Sequence, residues 1–382
     1  MISIDFYNFK NFRHLKIDNL GKINLIVGRN NAGKSTLLEA ISILASGANI
    51  GWIKNLLEIR GLSARIPSNI EEPEIYALES FSTLYYGRDF DQFKKYPIRL
   101  ICQNETSGDT SESSVEIKLV DLIQIVEIGE NGSEVRRTIL KENVSDSATI
   151  VDGEQGLGLQ ISFNENKTIY SLGSGLMRRS YPIERNTPFE FVRTAEFTGD
   201  KNPALFDKVA LSPREQVLIE ALKIIDDRIV ALNFLNDESR SRNAWAVRDI
   251  DSRIPFVVLK DSPKKYQLST MGDGINRILT IILSMLNCQN GILLIDEFEN
   301  GLHYSVQTNL WRLICRLSSE LNIQVFATTH SQDCIKSFLT ATSNYDTARL
   351  IRLEKRKDSE IAVVYDESDE LEYICKNDVE TR

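Results

Sequence analysis

Gly28, Gly33, Lys34 and Ser35 stand at the spacing G-x-x-x-x-G-K-[ST], within Gly28-Arg29-Asn30-Asn31-Ala32-Gly33-Lys34-Ser35, and residues of these types at this spacing bind the phosphates of a nucleotide. The glycines let the backbone turn tightly enough for its N–H groups to reach phosphate oxygens, and the helix that follows aims the positive end of its dipole at the same anion. Lys34 then bridges the β- and γ-phosphates, while the Ser35 hydroxyl coordinates Mg²⁺, which offsets part of the triphosphate charge. Asn30, Asn31, Ala32 and Thr36 complete the expected ATP-binding set.

Two acids far downstream complement that loop. In Gly291-Ile292-Leu293-Leu294-Ile295-Asp296-Glu297 four apolar residues run straight into two carboxylates. This is the pattern of a Walker B strand, and open α/β sheets place their ligands at the C-terminal ends of such strands. Asp296 is expected to hold Mg²⁺ through water, and Glu297 to orient or deprotonate the attacking water. His330 ends another apolar strand over residues 323–329, where an imidazole reaches the γ-phosphate or the attacking water. Ser269-Thr270-Met271-Gly272-Asp273-Gly274 leads into apolar residues at helical spacing, Ile278 to Leu286. Such a hydroxyl- and glycine-rich helix start is itself an anion site.

These side chains need an α/β scaffold. Residues 23–27 read as a buried strand and residues 36–44 as a helix, so strand, loop and helix occur in the required order. The 382 residues exceed one compact domain and favour a main domain with a substantial insertion. The 54 acidic against 45 basic residues leave a net charge of −9, so any nucleic-acid contact must come from local patches. The start of the chain has no basic leader, and no apolar run reaches the roughly 18 residues of a membrane span. A cytoplasmic, membrane-free protein is therefore expected. Five scattered cysteines without a C-x-x-C pair argue against a disulfide framework or a zinc site.

The order of these motifs resembles an ABC-type ATPase of the recombination and chromosome-maintenance branch. It is most similar to stand-alone relatives of the overcoming-lysogenisation-defect ATPases. The resemblance rests on residues 4–13 (Ile-Asp-Phe-Tyr-Asn-Phe-Lys-Asn-Phe-Arg), the loop Gly28 to Ser35, the signature-like Thr270-Met271-Gly272-Asp273-Gly274, the run Asp296 to His303, and Thr329-His330-Ser331. It implies a P-loop ABC-type head with a central, mostly parallel sheet flanked by helices, plus an inserted β-rich and helical lobe. The corresponding division is 1–50 and 251–382 for the ATPase core and 51–250 for the lobe.

It also implies that two copies close head to tail around two nucleotides. The signature of one copy, with Ser269 or Thr270 as its hydroxyl and Gly272 and Gly274 beside it, then touches the γ-phosphate held by the other. Thr270 is preferred because it directly precedes the Met-Gly-Asp-Gly run. Arg13 approaches the nucleotide, Phe9 or Phe12 packs either beside the adenine or in a core, and Asn300 to His303 occupy a loop that crosses the dimer interface. Gln92 and Gln103 are the alternatives for a glutamine at the metal.

The middle of the chain mixes helical and loop patterns up to residue 95. Strand-like runs follow at 115–120 and 122–128 near an Asn131-Gly132 turn. Ser212-Pro213-Arg214-Glu215 is a strong helix start, with an apolar stripe continuing through Val217, Leu218, Ala221, Ile224, Ile225, Ile229 and Val230. The absence of sustained heptads fits poorly with long-armed chromosome ATPases. About fifty residues follow His330. That is too few for the nuclease domain of the nuclease-bearing relatives, and the acids at 366–370 read as a solvated turn. Arg136-Arg137, Arg178-Arg179, Arg240 to Arg248 and Lys355-Arg356-Lys357 are short basic candidates for a nucleic acid. Three functions fit: an ATPase whose dimer regulates a separate effector in anti-phage defence, a DNA-binding repair ATPase, and the energising subunit of a transporter.

Overall fold

A computed structural model describes residues 1–62, 73–106, 108–128, 134–143, 149–172, 187–194, 201–236, 253–356 and 359–365. The sequence candidates at 131–132, 178–179, 240–248, 357 and 366–370 lie outside them. The chain opens with strands β1 (Ser3–Phe9), β2 (Phe12–Ile17) and β3 (Ile23–Gly28), then helices α1 (Lys34–Ala45), α2 (Ile50–Ile59), α3 (Pro73–Ser82) and α4 (Phe90–Lys95). Strands β4 (Ile98–Thr106), β5 (Asp109–Ile128), β6 (Glu134–Leu140), β7 (Thr149–Phe163), β8 (Asn166–Ser171) and β9 (Phe189–Val192) follow. Helices α5 (Asn202–Asp207) and α6 (Pro213–Leu222) precede β10 (Ile229–Asn236), β11 (Arg253–Leu259) and β12 (Ser262–Gln267). The chain continues through α7 (Asp273–Asn287), β13 (Ile292–Ile295), α8 (Tyr304–Glu320), β14 (Gln324–Thr328), α9 (Gln332–Thr342), β15 (Ala348–Arg356) and β16 (Ser359–Tyr365).

Two compact units result. The first contains Met1–Asp18, Glu39–Asn186 and Lys355–Ile361; the second contains Asn19–Leu38, Thr187–Glu354 and Ala362–Arg382. This division differs from the expected 1–50, 51–250 and 251–382. Strand β1 pairs with β4 as well as with β2, which draws the first residues into the β-rich unit. In turn, Leu218, Leu222, Leu232 and Phe234 share the core of α7, β13 and β14, which draws residues 187–250 into the second unit.

The first unit is built on a seven-stranded sheet of order β2-β1-β4-β5-β7-β8, with β6 on β5. The two strands expected at 115–120 and 122–128 form one 20-residue strand, β5. Asp121, an exposed acid, separates the two apolar runs, yet the ladder to β7 passes through it unbroken from Val115 to Ile123, and the register shifts only beyond, between Ile123 and Ile125. Phe9 and Phe12 face each other across the β1–β2 pair and are fully buried at 0% exposure. Of their two sequence readings, core packing is the one the geometry supports. Glu39, also buried, binds Lys10 and accepts from Arg60 Nε and Nη2 at 3.0 and 2.7 Å, so its charge is paired rather than stranded.

The second unit carries a six-stranded sheet of order β16-β15-β3-β14-β13-β9, in which β15, β3, β14, β13 and β9 run parallel. A central parallel strand is covered on both faces, and Ile292–Ile295 is accordingly buried throughout. This is the α/β P-loop architecture expected from the sequence. Helix α6 starts as its residues dictate: Ser212 caps Arg214 N, Pro213 takes the first helical position, and the Glu215 carboxylate accepts from Leu211 N. It stops at Leu222, however. Ile229 and Val230 belong to β10, where Val230 is exposed, so the apolar stripe does not continue as helix. Cys102, Cys288, Cys315 and Cys334 are free, buried thiols. Burial pushes the Cys315 and Cys334 thiols up to about 12. Among the described residues no helix is long and apolar enough to cross a membrane.

Candidate functional site

Strands β3, β13 and β14 end together, and the residues immediately beyond them make the site. At the first end the chain must reverse into α1 beside β15. Gly28 has φ +143°, and a Cβ there would lie 2.5 Å from the Leu353 carbonyl oxygen, so only glycine fits. The turn closes through Ala32 N to Arg29 O at 3.1 Å, with Asn30 and Asn31 exposed at its tip. Ala32 is buried in the loop, and Gly33 leads into α1, where Lys34 and Thr36 are buried and Ser35 is half-buried. A cavity of about 470 Å³ lies between Gly28–Asn30 on one side and Thr329, His330 and Gln332 on the other.

Lys34 Nζ donates to the carbonyls of Gly28 at 2.7 Å and Arg29 at 3.0 Å. Burial pulls its ammonium down to about 8, against the opposing influence of Asp296, Glu299 and Glu297. A phosphate selects the charged lysine, so binding draws a proton from solution wherever the lysine is neutral beforehand. The affinity for metal-free ATP is therefore expected to be flat between about pH 7, below which the terminal phosphate protonates, and about pH 8, and to fall up to tenfold per pH unit above that. Calorimetry in buffers of different ionisation enthalpy reads the proton uptake directly. A constant affinity from about pH 7.5 to about pH 9.5 would contradict this reading.

At the second strand end Asp296 Oδ1 accepts from Ser35 Oγ at 3.0 Å and from Thr328 Oγ1 at 2.7 Å. The same Thr328 Oγ1 accepts from Glu297 N at 2.9 Å. Glu297 has φ +49°, the left-handed region that a residue with a Cβ seldom adopts. Phe298 anchors the turn, fully buried and stacked on Trp311 with ring centroids 4.0 Å apart, which leaves Glu297 and Glu299 on either side of it. His330 Nε2 lies 4.0 Å from Glu297 Oε1. Glu299 accepts from Thr329 Oγ1 and from His330 N, both at 2.7 Å, and so ties the histidine's backbone to the acidic turn. The structure thus gathers Gly28 to Thr36, Asp296, Glu297 and His330 within one unit.

Three polar residues of this cluster escaped the sequence reading: Thr328, Glu299 and Arg277. Their signals were a hydroxyl closing an apolar strand, an acid two places after Glu297, and one cation inside the apolar pattern of α7.

The signature-like segment sits at the start of α7. Ser269, Thr270 and Gly272 are exposed, and the Thr270 hydroxyl donates to the Gln267 carbonyl at 2.7 Å within a 3₁₀ turn. A phosphate acceptor for this proton would have to replace that carbonyl. A Cβ on Gly274 would lie 2.9 Å from the Gly301 carbonyl oxygen, so α7 starts hard against the loop of residues 299–302. That loop ends at His303, which caps α8 by accepting from Ser305 N. Arg13 is exposed on β2, and Gln92 and Gln103 lie on α4 and β4; all three belong to the first unit.

The donor set suits Mg²⁺. Ser35 Oγ and Asp296 Oδ1 are hard oxygens, and among the described residues no group of three His, Cys, Asp or Glu side chains forms an all-protein metal cage. A hydroxyl and one carboxylate match an ion that takes its remaining ligands from phosphate and water. When bound there, the ion neutralises charge on the β- and γ-phosphates.

Residues 3–250 match the AAA domain family, and residues 199–335 match the AAA ATPase domain family. The chain is 27% identical to an ATP/GTP phosphatase of Helicobacter pylori over 98% of both proteins. It is 25% identical to an OLD nuclease of Thermus scotoductus over 93% of this chain and 63% of that protein. To the DNA replication and repair protein RecF of Clostridioides difficile it is 28% identical, over 33% of this chain and 28% of that protein. The first family match spans more than half of the sequence, and the chain belongs to the AAA domain family.

Proposed function

We propose that this protein is a Mg²⁺-dependent ATPase of ABC type. Two copies close head to tail around two ATP molecules, and that closure assembles or regulates a separate effector, in anti-phage defence. The observation that carries the reading is the convergence of Lys34, Ser35, Asp296, Glu297 and His330 at the ends of three parallel strands. In this reading Lys34 and the loop amides hold the phosphates, and Ser35 and Asp296 hold the metal. Glu297 takes a proton from the attacking water, and His330 contacts the γ-phosphate or that water. Ser269 or Thr270, with Gly272 and Gly274, completes the γ-phosphate site of the other copy, a role that the exposure of Ser269, Thr270 and Gly272 permits. The β-rich unit offers the effector its docking face.

A DNA-binding repair or recombination ATPase is the second reading, favoured by the likeness to the RecF protein over a third of the chain. Light scattering in a hydrolysis-resistant ATP analogue, combined with ATPase assays over a DNA titration, separates the two. A doubled mass with a DNA-independent rate supports the effector reading. DNA stimulation that collapses with added salt selects the repair reading, and a protein that stays monomeric with the analogue bound overturns head-to-tail closure.

A further inference from the structure

Helix α7 is apolar along almost all of its inner face, and Arg277 is set into that face at 6% exposure, between Ile275 and Ile278 at 0%. A guanidinium keeps its proton inside a protein, and burying one is unfavourable unless its N–H groups meet acceptors. The acceptors for its two terminal nitrogens are main-chain carbonyls, while the buried Nε meets none. Nη1 donates to the Arg193 carbonyl at 3.1 Å; Nη2 donates to the Asp296 carbonyl at 2.7 Å and to the Glu297 carbonyl at 3.1 Å. The carboxylates of Asp296, Glu297 and Glu299 favour the charged form against the effect of burial.

The position of these carbonyls gives the contact its meaning. Strands β13 and β9 pair in register up to Ile295 and Val192, and beyond that pair their chains leave the ladder. The Asp296 carbonyl belongs to the peptide plane just before the Glu297 Cα, and the Glu297 carbonyl to the plane just after it. One nitrogen therefore holds both planes that define φ and ψ at Glu297, whose φ of +49° an L-residue does not adopt by default. With both planes held, the direction in which the side chain leaves the backbone is set.

We propose that Arg277 is the positioning residue for Glu297, clamping the backbone on both sides of it so that its carboxylate is aimed at the attacking water. The inference rests on the reading of Glu297 as the base. A lysine is a point donor on a flexible stem and cannot reproduce a planar fork across these carbonyls.

A double-mutant cycle on the full-length protein tests it. Arg277→Met is expected to lower kcat by about 10- to 100-fold with little change in ATP affinity, because a displaced base costs rate rather than binding. Arg277→Lys, keeping the charge and one carbonyl contact, should fall between Met and the parent. In the Glu297→Gln background, where no base remains to aim, Arg277→Met should slow turnover by less than about twofold. A second loss as large as the first would overturn the proposal, as would equal rates for parent and Arg277→Met. Should Arg277→Met fail to fold, the same cycle is run with Arg277→Lys. The single Glu297→Gln variant reports on the underlying reading alone: a parental rate there removes the base assignment, independently of Arg277.

Discussion

Glutamine in place of Glu297 is expected to slow ATP turnover by about 10²-fold or more while ATP still binds. The amide matches the carboxylate in shape but accepts no proton, so the loss falls on the chemical step. Nothing that shapes the turn depends on the side chain's charge. The backbone is held by Glu297 N to Thr328 Oγ1 and by the Arg277 contacts to the neighbouring carbonyls. With a half-exposed side chain at this position, the melting temperature is expected to stay close to that of the parent. Single-turnover hydrolysis with labelled ATP, followed by light scattering of the ATP-loaded variant, reads rate and assembly separately. An unchanged rate removes Glu297 as the base. A slow rate in a protein that remains monomeric keeps the base and removes the two-copy closure.

Removing the Lys34 ammonium acts at the other end of the cycle. Lys34→Ala is expected to weaken ATP binding by roughly 30-fold to several thousand-fold, the loss that accompanies truncation of one partner in a buried, hydrogen-bonded charge pair. Its effect on folding should be opposite in character. Burial pulls the ammonium down to about 8, so the unliganded fold carries a charged group in surroundings that disfavour it. Alanine removes that burden together with the two bonds to the Gly28 and Arg29 carbonyls. The unliganded variant should thus melt no lower than the parent while losing the rise in melting temperature that ATP gives the parent. Thermal scans with and without ATP measure both quantities. Parental stabilisation by ATP would overturn the assignment of Lys34.

The parts of the site that were legible in the sequence are those whose chemistry is local. Gly28 to Ser35 carry their geometry within eight consecutive positions, and Asp296-Glu297 is announced by the apolar run that ends there. The rest depends on partners distant in the chain. Nothing around Thr328 indicates that its hydroxyl meets a carboxylate 32 positions away, and Glu299 becomes a clamp only because β14 ends beside the acidic turn. Arg277 received no role from the sequence, since periodicity cannot say that carbonyls wait on the buried side of α7. The two compact units likewise rest on partners distant in the chain. A β1–β4 pairing across about 90 positions leaves no local trace, and exposed Asp121 between two apolar runs makes one strand read as two. Phe9 and Phe12 satisfy an adenine pocket and a core equally well by composition; their cross-strand pairing in full burial favours the core.

Thr328 has an evolutionary consequence. Its oxygen gives its proton to Asp296 and receives one from the amide of Glu297, and the residue is wholly buried, so its β-branched side chain has few rotamers to choose from. On the proposed reading, metal ligand and base are therefore tied to a single pivot. On that reading a substitution that removes the hydroxyl is expected to shift both functions at once, which makes the position pleiotropic. Lineages that retune one acid without the other must do so through neighbours that touch only one of them.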